Sequence, residues 1–411
     1  MKILLCHNFY QQRGGEDSGV LAVKGLLQQK GHEVISYVEH SREIEKYGVL
    51  QKIGFFPRTV FSVRTYRRLC RIAAQEKPDI AHVHNVFPLL SPALYVALKR
   101  NGIPIVQTVQ NFRLMCINGL FLRDERICER CRTGKFFSGF RFKCYRNSYT
   151  LSGLYALTIG SHRRWGTFNL IDRFAVVSQF AAMKIAESGV ADISKISILE
   201  NFLLTPLPEY GEADFANPYI VYMGRLSREK GIFTLLKAVG GLPSLRLKVM
   251  GSGPLREAIE EYIRHHRLGN VEMLGFVDGE EKYRILRGAL CCVVPSEWYE
   301  TFGFVVIESA AVGTPVVASR IGGLTGIISD GETGFFFAPG NSAELRDKLK
   351  VLAASPELVR NIGRQARQRA QARHTSDAHY ETLMNIYGSV MKPRPMVALS
   401  QSLHGVPSSR G

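Results

Sequence analysis

Glu300 and Glu308 stand with seven residues between them in Glu300-Thr301-Phe302-Gly303-Phe304-Val305-Val306-Ile307-Glu308. If a helix opens near Gly303, Glu308 falls about one and a half turns inside it and Glu300 lies in the loop before it. The backbone N–H groups of Phe302, Gly303 and Phe304 then sit at a helix N-terminus, which attracts anions and suits a phosphate. The plainer alternative is two surface glutamates at a helix start, where the helix dipole favours them. Upstream, Gly224-Arg225-Leu226-Ser227-Arg228-Glu229-Lys230-Gly231 forms a basic loop behind an apolar run. Fixed cations of that kind stabilise negative charge developing on a leaving group. Four of the eight cysteines, Cys116, Cys128, Cys131 and Cys144, fall within 29 residues as C-x11-C-x2-C-x12-C. The central C-x2-C lets two thiolates reach one ion, and four complete a closed tetrahedral zinc site. An iron–sulfur cluster also takes four thiolates, although the spacing matches no usual ferredoxin pattern. The bland alternative is a set of unligated thiols in a mobile basic loop. Cys6, Cys70, Cys291 and Cys292 sit among apolar neighbours and read as core thiols.

These groups need a scaffold, and the hydrophobic pattern describes one. Short β-branched runs at Lys2 to His7, Glu33 to Val38, Asp79 to Val83, Ile103 to Val109 and Phe174 to Val177 read as strands. Amphipathic stretches alternate with them, including a helix over Glu16 to Lys30 and helix starts at Ser91-Pro92 and Ser178. That alternation means parallel βαβ units. Residues 203–218, with Pro206, Pro208, Gly211 and Pro218, break the rhythm as a linker. A second βαβ series runs through Tyr219 to Met223, Leu245 to Met250, Val271 to Leu274, Leu290 to Val294 and Pro315 to Ala318. The expectation is α/β: two Rossmann-like doubly wound domains facing across a cleft, with ligands at the carboxyl ends of the strands. Residues 1–202 form the first domain and 219–374 the second. A helix in 375–391 crosses back to the first domain, and 392–411, rich in Ser, Pro and Gly, is a disordered tail.

With 411 residues, 45% hydrophobic and 22% charged, the chain has the composition of a globular protein. The most apolar stretch, Phe302 to Ala318, contains Glu308, Gly313 and Pro315, so no membrane span is expected. The N-terminal apolar run is short for a signal peptide, and a cytoplasmic protein with reduced thiols follows. The formal charge of +17 concentrates in 113–146, where nine basic residues face three acidic ones. Arg58, Arg64, Arg67, Arg68, Arg71 and Lys77 form a second basic stretch. No nucleic-acid-binding motif accompanies the charge, so nucleic acid is not an expected partner. An anionic membrane surface or a phosphate-bearing substrate suits it, as does a merely solvated basic face. Phe136, Phe137, Phe140, Phe142 and Tyr145 interleave with the basic residues and could dip into such an interface.

The motifs from Met223 to Gly334, among them Gly313-Thr314-Pro315, Gly322-Gly323 and Asp330-Gly331-Glu332-Thr333-Gly334, extend the E-x7-E and Arg225/Lys230 patterns. Together they resemble the retaining nucleotide-sugar glycosyltransferases of glycosyltransferase family 4, which have the GT-B fold. The resemblance implies that Arg225 and Lys230 hold the donor diphosphate and that Glu300 holds hydroxyls of the donor sugar. It gives Glu308 the ribose, Thr301, Phe302 and Gly303 the phosphates, and Gly275-Phe276-Val277 the base. In the first domain, Gly14-Gly15-Glu16 resembles the glycine loop near the diphosphate and acceptor. His84, Gln110 and Asn111 become acceptor-side or sugar-side candidates. His82 and His84 could equally be satisfied strand-end histidines. The family usually has His where Gln110 stands and Glu where Gly326 stands, two departures that bear on activity and donor preference.

The implied function is transfer of a sugar, with retention, from a nucleoside-diphosphate sugar to a glycan or lipid-linked acceptor in cell-surface polysaccharide synthesis. No catalytic metal is expected, and the cysteines are a candidate structural zinc site. A sugar-nucleotide epimerase on the same fold is one alternative. A non-catalytic nucleotide-sugar-binding protein, suggested by Gln110 and Gly326, is the other. The implied location is cytoplasmic, extending to the inner face of the membrane.

Overall fold

The computed structural model describes residues 1–11 and 14–391; the expected tail at 392–411 lies outside the described residues. Two six-stranded sheets organise the chain. The first has the order β2-β1-β3-β4-β7-β8, with β1 Lys2–Phe9, β2 Glu33–His40, β3 Ile80–Val83, β4 Ile105–Val109, β7 Arg173–Val176 and β8 Ile196–Ile198. The second has the order β11-β10-β9-β12-β13-β14, with β9 Tyr219–Met223, β10 Arg246–Met250, β11 Val271–Gly275, β12 Cys292–Val294, β13 Val316–Ser319 and β14 Gly334–Phe337. All their pairings are parallel. A third, two-stranded antiparallel hairpin joins β5 (Leu122–Arg123) to β6 (Arg126–Ile127).

Parallel sheets carry helices on both faces, so their strands are apolar throughout. β3, β4, β12 and β13 are buried along their whole length, and β1 is buried at every residue but its first and last. Cys6, Cys291 and Cys292 are buried within this packing, whereas Cys70 is only partly covered. The helix Gly15–Gln29 follows β1, and Ser178 caps the helix Gln179–Ser188 by accepting from Ala181 N–H at 3.2 Å. The edge strands β8 and β14 carry no sequence signal strong enough to predict. β8 is a three-residue strand with no buried side chain, and β14 reads as a phenylalanine run behind a glycine turn.

The last helix, Ser376–Val390, packs against the helix Gly15–Gln29 and against β4 and β7 of the first sheet. Lys30 reaches Asp377 at 2.6 Å and His32 reaches the Tyr380 hydroxyl at 2.8 Å. Deeper in, the hydroxyls of Tyr387 and Thr108 bracket the two ring nitrogens of His82, each at 2.7 Å. Burial pushes the His82 imidazole down to about 3, with His379 adding repulsion, so the ring is neutral at physiological pH.

The segment 113–146 departs from a polar loop. Met115, Ile117, Phe121 and Phe136 are buried in the core of the first sheet, and Tyr145 lies against Tyr155 with ring centroids 4.2 Å apart. Phe142 is covered by Arg123, whose guanidinium lies 3.9 Å from the ring centroid. Of the five interleaved aromatics only Phe137 and Phe140 are exposed. They form a small cluster with Tyr149, beneath Lys143.

Tyr387→Phe should strip a buried partner from His82 while keeping the ring's shape. An unsatisfied buried nitrogen costs about 1–3 kcal/mol. Urea unfolding should show a lower midpoint than the parent chain; coincident midpoints would mean that this bond does not hold the last helix.

Candidate active site

β9 ends at Met223, and the chain turns into the loop carrying Arg225 and Lys230. Gly231 closes that loop at φ +69°, and a Cβ there would lie 1.8 Å from the Pro295 carbonyl oxygen. Only glycine permits the approach, which brings Lys230 beside the segment after β12. Lys230 Nζ lies 2.6 Å from Glu300 Oε1, and Ser296 Oγ and Trp298 Nε1 donate to the same oxygen at 2.7 and 3.0 Å. Glu300 is 8% exposed. Burial opposes its charge, but the Lys230 ammonium and the three hydrogen bonds outweigh it and hold the carboxyl below its ordinary range. A pair of ordinary surface glutamates does not describe this position.

Gly322 and Gly323 press on the same segment from the other side. A Cβ on Gly322 would lie 2.5 Å from the Glu300 carbonyl oxygen, and one on Gly323 would lie 2.3 Å from that of Thr301. Gly323 N–H donates to the Glu300 carbonyl at 2.7 Å. The backbone on both sides of the carboxylate is therefore fixed. The Thr301 carbonyl accepts from Ser178 Oγ at 2.7 Å, which ties this turn to the first sheet's half of the molecule.

The helix runs Phe304–Ala311 with Gly303 as its N-cap residue at φ +123°. Glu308 lies just over one turn inside it and pairs with Lys282 at 3.0 Å. Burial is the main influence on Glu308 and pushes its carboxyl up, partly offset by Lys282. Burial alone would favour a neutral Lys282, yet the Glu308 charge overrides it and holds the ammonium up.

A cleft of about 1310 Å³ opens between the two halves. Gly14, Gly15, Arg225, Phe276, Val277, Lys282 and Glu308 line it, together with the turn Gly251-Ser252-Gly253-Pro254 that follows β10. Arg225 is exposed and, among the described residues, makes no ion pair. Phe276 is 75% exposed, an unusual state for a phenylalanine, and Gly275 turns the chain ahead of it at φ +74°. Gly15 faces the Phe304 ring, which a Cβ on the glycine would meet at 3.5 Å. Phe302 is buried, with its ring near Phe304 and His374. Lys230, Glu300, Thr301, Phe302 and Gly303 thus belong to the wall behind the lining, while Gly14, Gly15, Arg225, Phe276, Val277 and Glu308 form the lining itself.

On the first sheet's side, Glu16 accepts from the Tyr10 hydroxyl at 2.8 Å and from Asn111 Nδ2 at 3.0 Å. Beneath them the buried Asp17 meets His7 Nε2 at 2.8 Å. His82 is a satisfied strand-end histidine, as described above. His84 is not: it is buried, stacks on His82 at 4.4 Å, and neither of its nitrogens has a partner. Burial above all holds it well below the usual imidazole range. It adjoins a small cavity shared with Gln110, Asn111 and Arg113. Gly326 is exposed, with open space where a Cβ would go.

Several participants carried no sequence signal. Lys282 lies 26 residues before its partner Glu308, inside an ordinary amphipathic helix. Tyr299, next to Glu300, leaves its own half of the molecule and packs on Phe180 and Phe121, with centroids 4.8 and 6.4 Å away. Its hydroxyl lies near the Glu129 carboxylate, and Arg228 pairs with Glu125 at 3.0 Å. Both acidic partners belong to the cysteine-rich segment, and only the folded chain shows this second bridge across the cleft.

Comparison with known proteins agrees with this geometry. The profile described as "Glycosyltransferase Family 4" matches residues 13–203, and "Glycosyl transferases group 1" matches residues 212–369. Glycogen synthase of Mycobacterium tuberculosis is 35% identical over 40% of this chain and 40% of its own length. Sulfoquinovosyl transferase SQD2 of Arabidopsis thaliana is 33% identical over 84% of this chain and 65% of its own length. The chain therefore matches less than two thirds of the length of either relative. Among solved structures, sucrose-phosphate synthase from Thermosynechococcus elongatus superposes with a TM-score of 0.69 at 20% identity, covering 94% of this chain and 98% of that one. Anabaena HepE in complex with UDP superposes with a TM-score of 0.66 at 16% identity, covering 95% and 100%. At such identities the likeness concerns the fold, which is GT-B. The two profiles meet across both halves of the cleft, and the chain belongs to the family 4 type of glycosyltransferases.

Proposed function

We propose that the protein transfers a sugar from a nucleoside-diphosphate sugar to a glycan or lipid-linked acceptor, with retention of anomeric configuration, in cell-surface polysaccharide synthesis. The observation that carries this reading is the unpaired Arg225 guanidinium in the same cleft as the buried Glu308–Lys282 pair, with the Glu300–Lys230 pair immediately behind. A leaving nucleoside diphosphate gains negative charge, which Arg225 and Lys230 would stabilise. The Glu300 carboxylate would accept hydroxyls of the donor sugar and Glu308 those of the ribose. The N–H groups of Thr301, Phe302 and Gly303 would meet the phosphates. The exposed face of Phe276, with Gly275 and Val277, suits a nucleobase that stacks. Gly14 and Gly15 bring backbone close to the diphosphate without side-chain bulk. His84, Gln110 and Asn111 would face the sugar and acceptor, with Gln110 donating and accepting hydrogen bonds but not titrating.

A thermal-shift screen of nucleoside diphosphates and their sugars tests the reading, beginning with UDP because HepE binds it in its crystal structure. A ligand at 100 times its Kd adds about 2.7 kcal/mol to apparent stability. The matched donor should then be hydrolysed slowly alone and consumed faster with acceptor, giving a product whose anomeric NMR signal keeps the donor configuration. Inversion of a ring carbon in the donor without acceptor would identify an epimerase. Tight binding with no turnover under any acceptor would identify a binding protein.

Glu300→Ala should leave nucleoside diphosphate affinity nearly unchanged and lower turnover on the order of 100- to 1,000-fold. Isothermal titration beside single-turnover transfer separates the two effects, and parental turnover would remove Glu300 from the sugar pocket.

Glu308 sets a pH dependence. Its carboxyl is raised by burial, so the charged form that accepts the ribose hydroxyls is lost at a higher pH than for an ordinary glutamate. Donor affinity should fall as pH drops through that raised value, and Lys282→Met should move the fall to still higher pH. The stability contribution has the opposite sign. Because the folded state holds this proton more tightly, stability declines as pH rises from the unfolded pKa through the folded one. Affinity profiles that coincide for parent and variant would refute the ribose assignment.

Peripheral attachment to the inner face of a membrane is part of the same reading. No helix among the described residues is long and apolar enough to cross a membrane. The Phe137–Phe140–Tyr149 cluster beside Lys143, with Phe137 at 72% exposure, suits an anionic interface. Sedimentation with anionic vesicles should weaken as salt rises and weaken further in Phe137→Ser. Equal sedimentation with neutral vesicles, or none with either, would count against attachment.

A further inference from the structure

The proposed transfer uses none of Cys116, Cys128, Cys131 and Cys144, yet local geometry gathers them. Cys116 N–H donates to Phe112 O at 2.8 Å and its carbonyl accepts from Gly119 at 3.0 Å, closing one turn. The β5–β6 hairpin runs out and back so that Cys128 N–H meets Phe121 O at 2.8 Å. A further turn carries Cys131, and Cys144 N–H returns to Gly139 O at 3.0 Å beyond the helix Phe137–Arg141. Gly139 lies against Ile117, whose side chain a Cβ on the glycine would meet at 2.3 Å, so the turn that leads to Cys144 sits beside the one that carries Cys116.

Two further observations point to an ion among them. Cys116 and Cys131 are each only 7% exposed, so two of the four thiols lie inside this segment and not on its surface. Four thiols in one small segment suit a soft dication. In addition, no side chain from Leu122 to Arg130 is buried. An outlying hairpin without a core needs a crosslink to keep one shape, and this one carries Glu125 and Glu129, the partners of Arg228 and Tyr299.

We propose that the four cysteines form a structural zinc site that fixes the hairpin on which the other half of the molecule docks. Among the described residues no three His, Cys, Asp or Glu side chains stand so that they could hold a metal ion. The thiols therefore rotate inward on binding, to Zn–S distances of about 2.3 Å. Cys116 gives up its 3.0 Å contact with Asn118 Oδ1, which keeps the Leu120 N–H at 2.9 Å. Binding deprotonates each ligating thiol and releases its proton to solvent. The link to donor docking rests on the transfer reading, whereas the metal content does not.

Full-length protein purified without a metal-affinity tag should contain about one zinc per chain by elemental analysis. Four thiols should react with a disulfide reagent only after a mercurial or chelator displaces the metal. Cobalt(II) exchanged into the parent chain should give the intense visible absorption of tetrahedral thiolate ligation, a readout that survives if a cysteine variant misfolds. Cys128→Ser should lose the zinc and Cys70→Ser should keep it. Metal-free protein with four freely titrating thiols, disulfides among them under reducing purification, or iron with acid-labile sulfide would each overturn the proposal.

Discussion

Glu300 carries its charge out of solvent, and much of the second half of the molecule is arranged around that constraint. A buried carboxylate stays ionised only where donors replace water, and here an ammonium, a hydroxyl and an indole N–H converge on Oε1. Among the described residues no donor reaches Oε2. Holding the three donors in place requires two loops to approach closely, and glycine supplies both approaches, at Gly231 and at Gly322-Gly323. The carboxylate, its partners and the glycines behave as one unit. Removing a single partner of a buried ion pair leaves the other uncompensated, at a cost of about 3–5 kcal/mol.

The second carboxylate shows how the number of partners separates two chemically identical groups, each shielded from solvent. Glu308 faces one ammonium at 3.0 Å where Glu300 faces an ammonium and two further donors. Burial wins at Glu308 and loses at Glu300, so the two titrate in opposite directions from the same ordinary value. An eight-residue helix with a glycine at its N-cap thus holds a firmly charged acid in front of it and a more easily protonated acid inside it.

The parts of the molecule legible in the sequence are those that local spacing determines. The strand and helix alternation follows from hydrophobic period, and the helix expected in 375–391 runs Ser376–Val390, where Thr375 caps it by accepting from Ala378 N–H. Glu300, Glu308, Arg225 and the glycine turns sit in contiguous motifs, so their neighbourhood is written in order along the chain. Lys282 was invisible because an ion pair across 26 residues leaves no periodic trace. Tyr299 was invisible because its partners, Phe121, Glu129 and Phe180, come from the other half of the fold. The cysteine-rich segment was misjudged as polar because charge counts weigh every residue alike, whereas Met115, Ile117, Phe121 and Phe136 decide where it lies.

The return of the last helix to the first sheet means that the chain passes between the halves twice. Those passages run side by side: Leu203 N–H donates to the His374 carbonyl at 2.9 Å, His374 Nδ1 lies 3.2 Å from the Asn201 carbonyl, and His379 Nδ1 lies 2.8 Å from that of Glu200. A single connecting strand would act as a ball joint, free to swivel in any direction. Two strands laced together act as the pin of a hinge, which leaves one easy rotation and resists twisting and shearing. A rotation about that pin would part Gly15 from Phe304 and Tyr299 from its aromatic seat together, since both contacts join the same two halves.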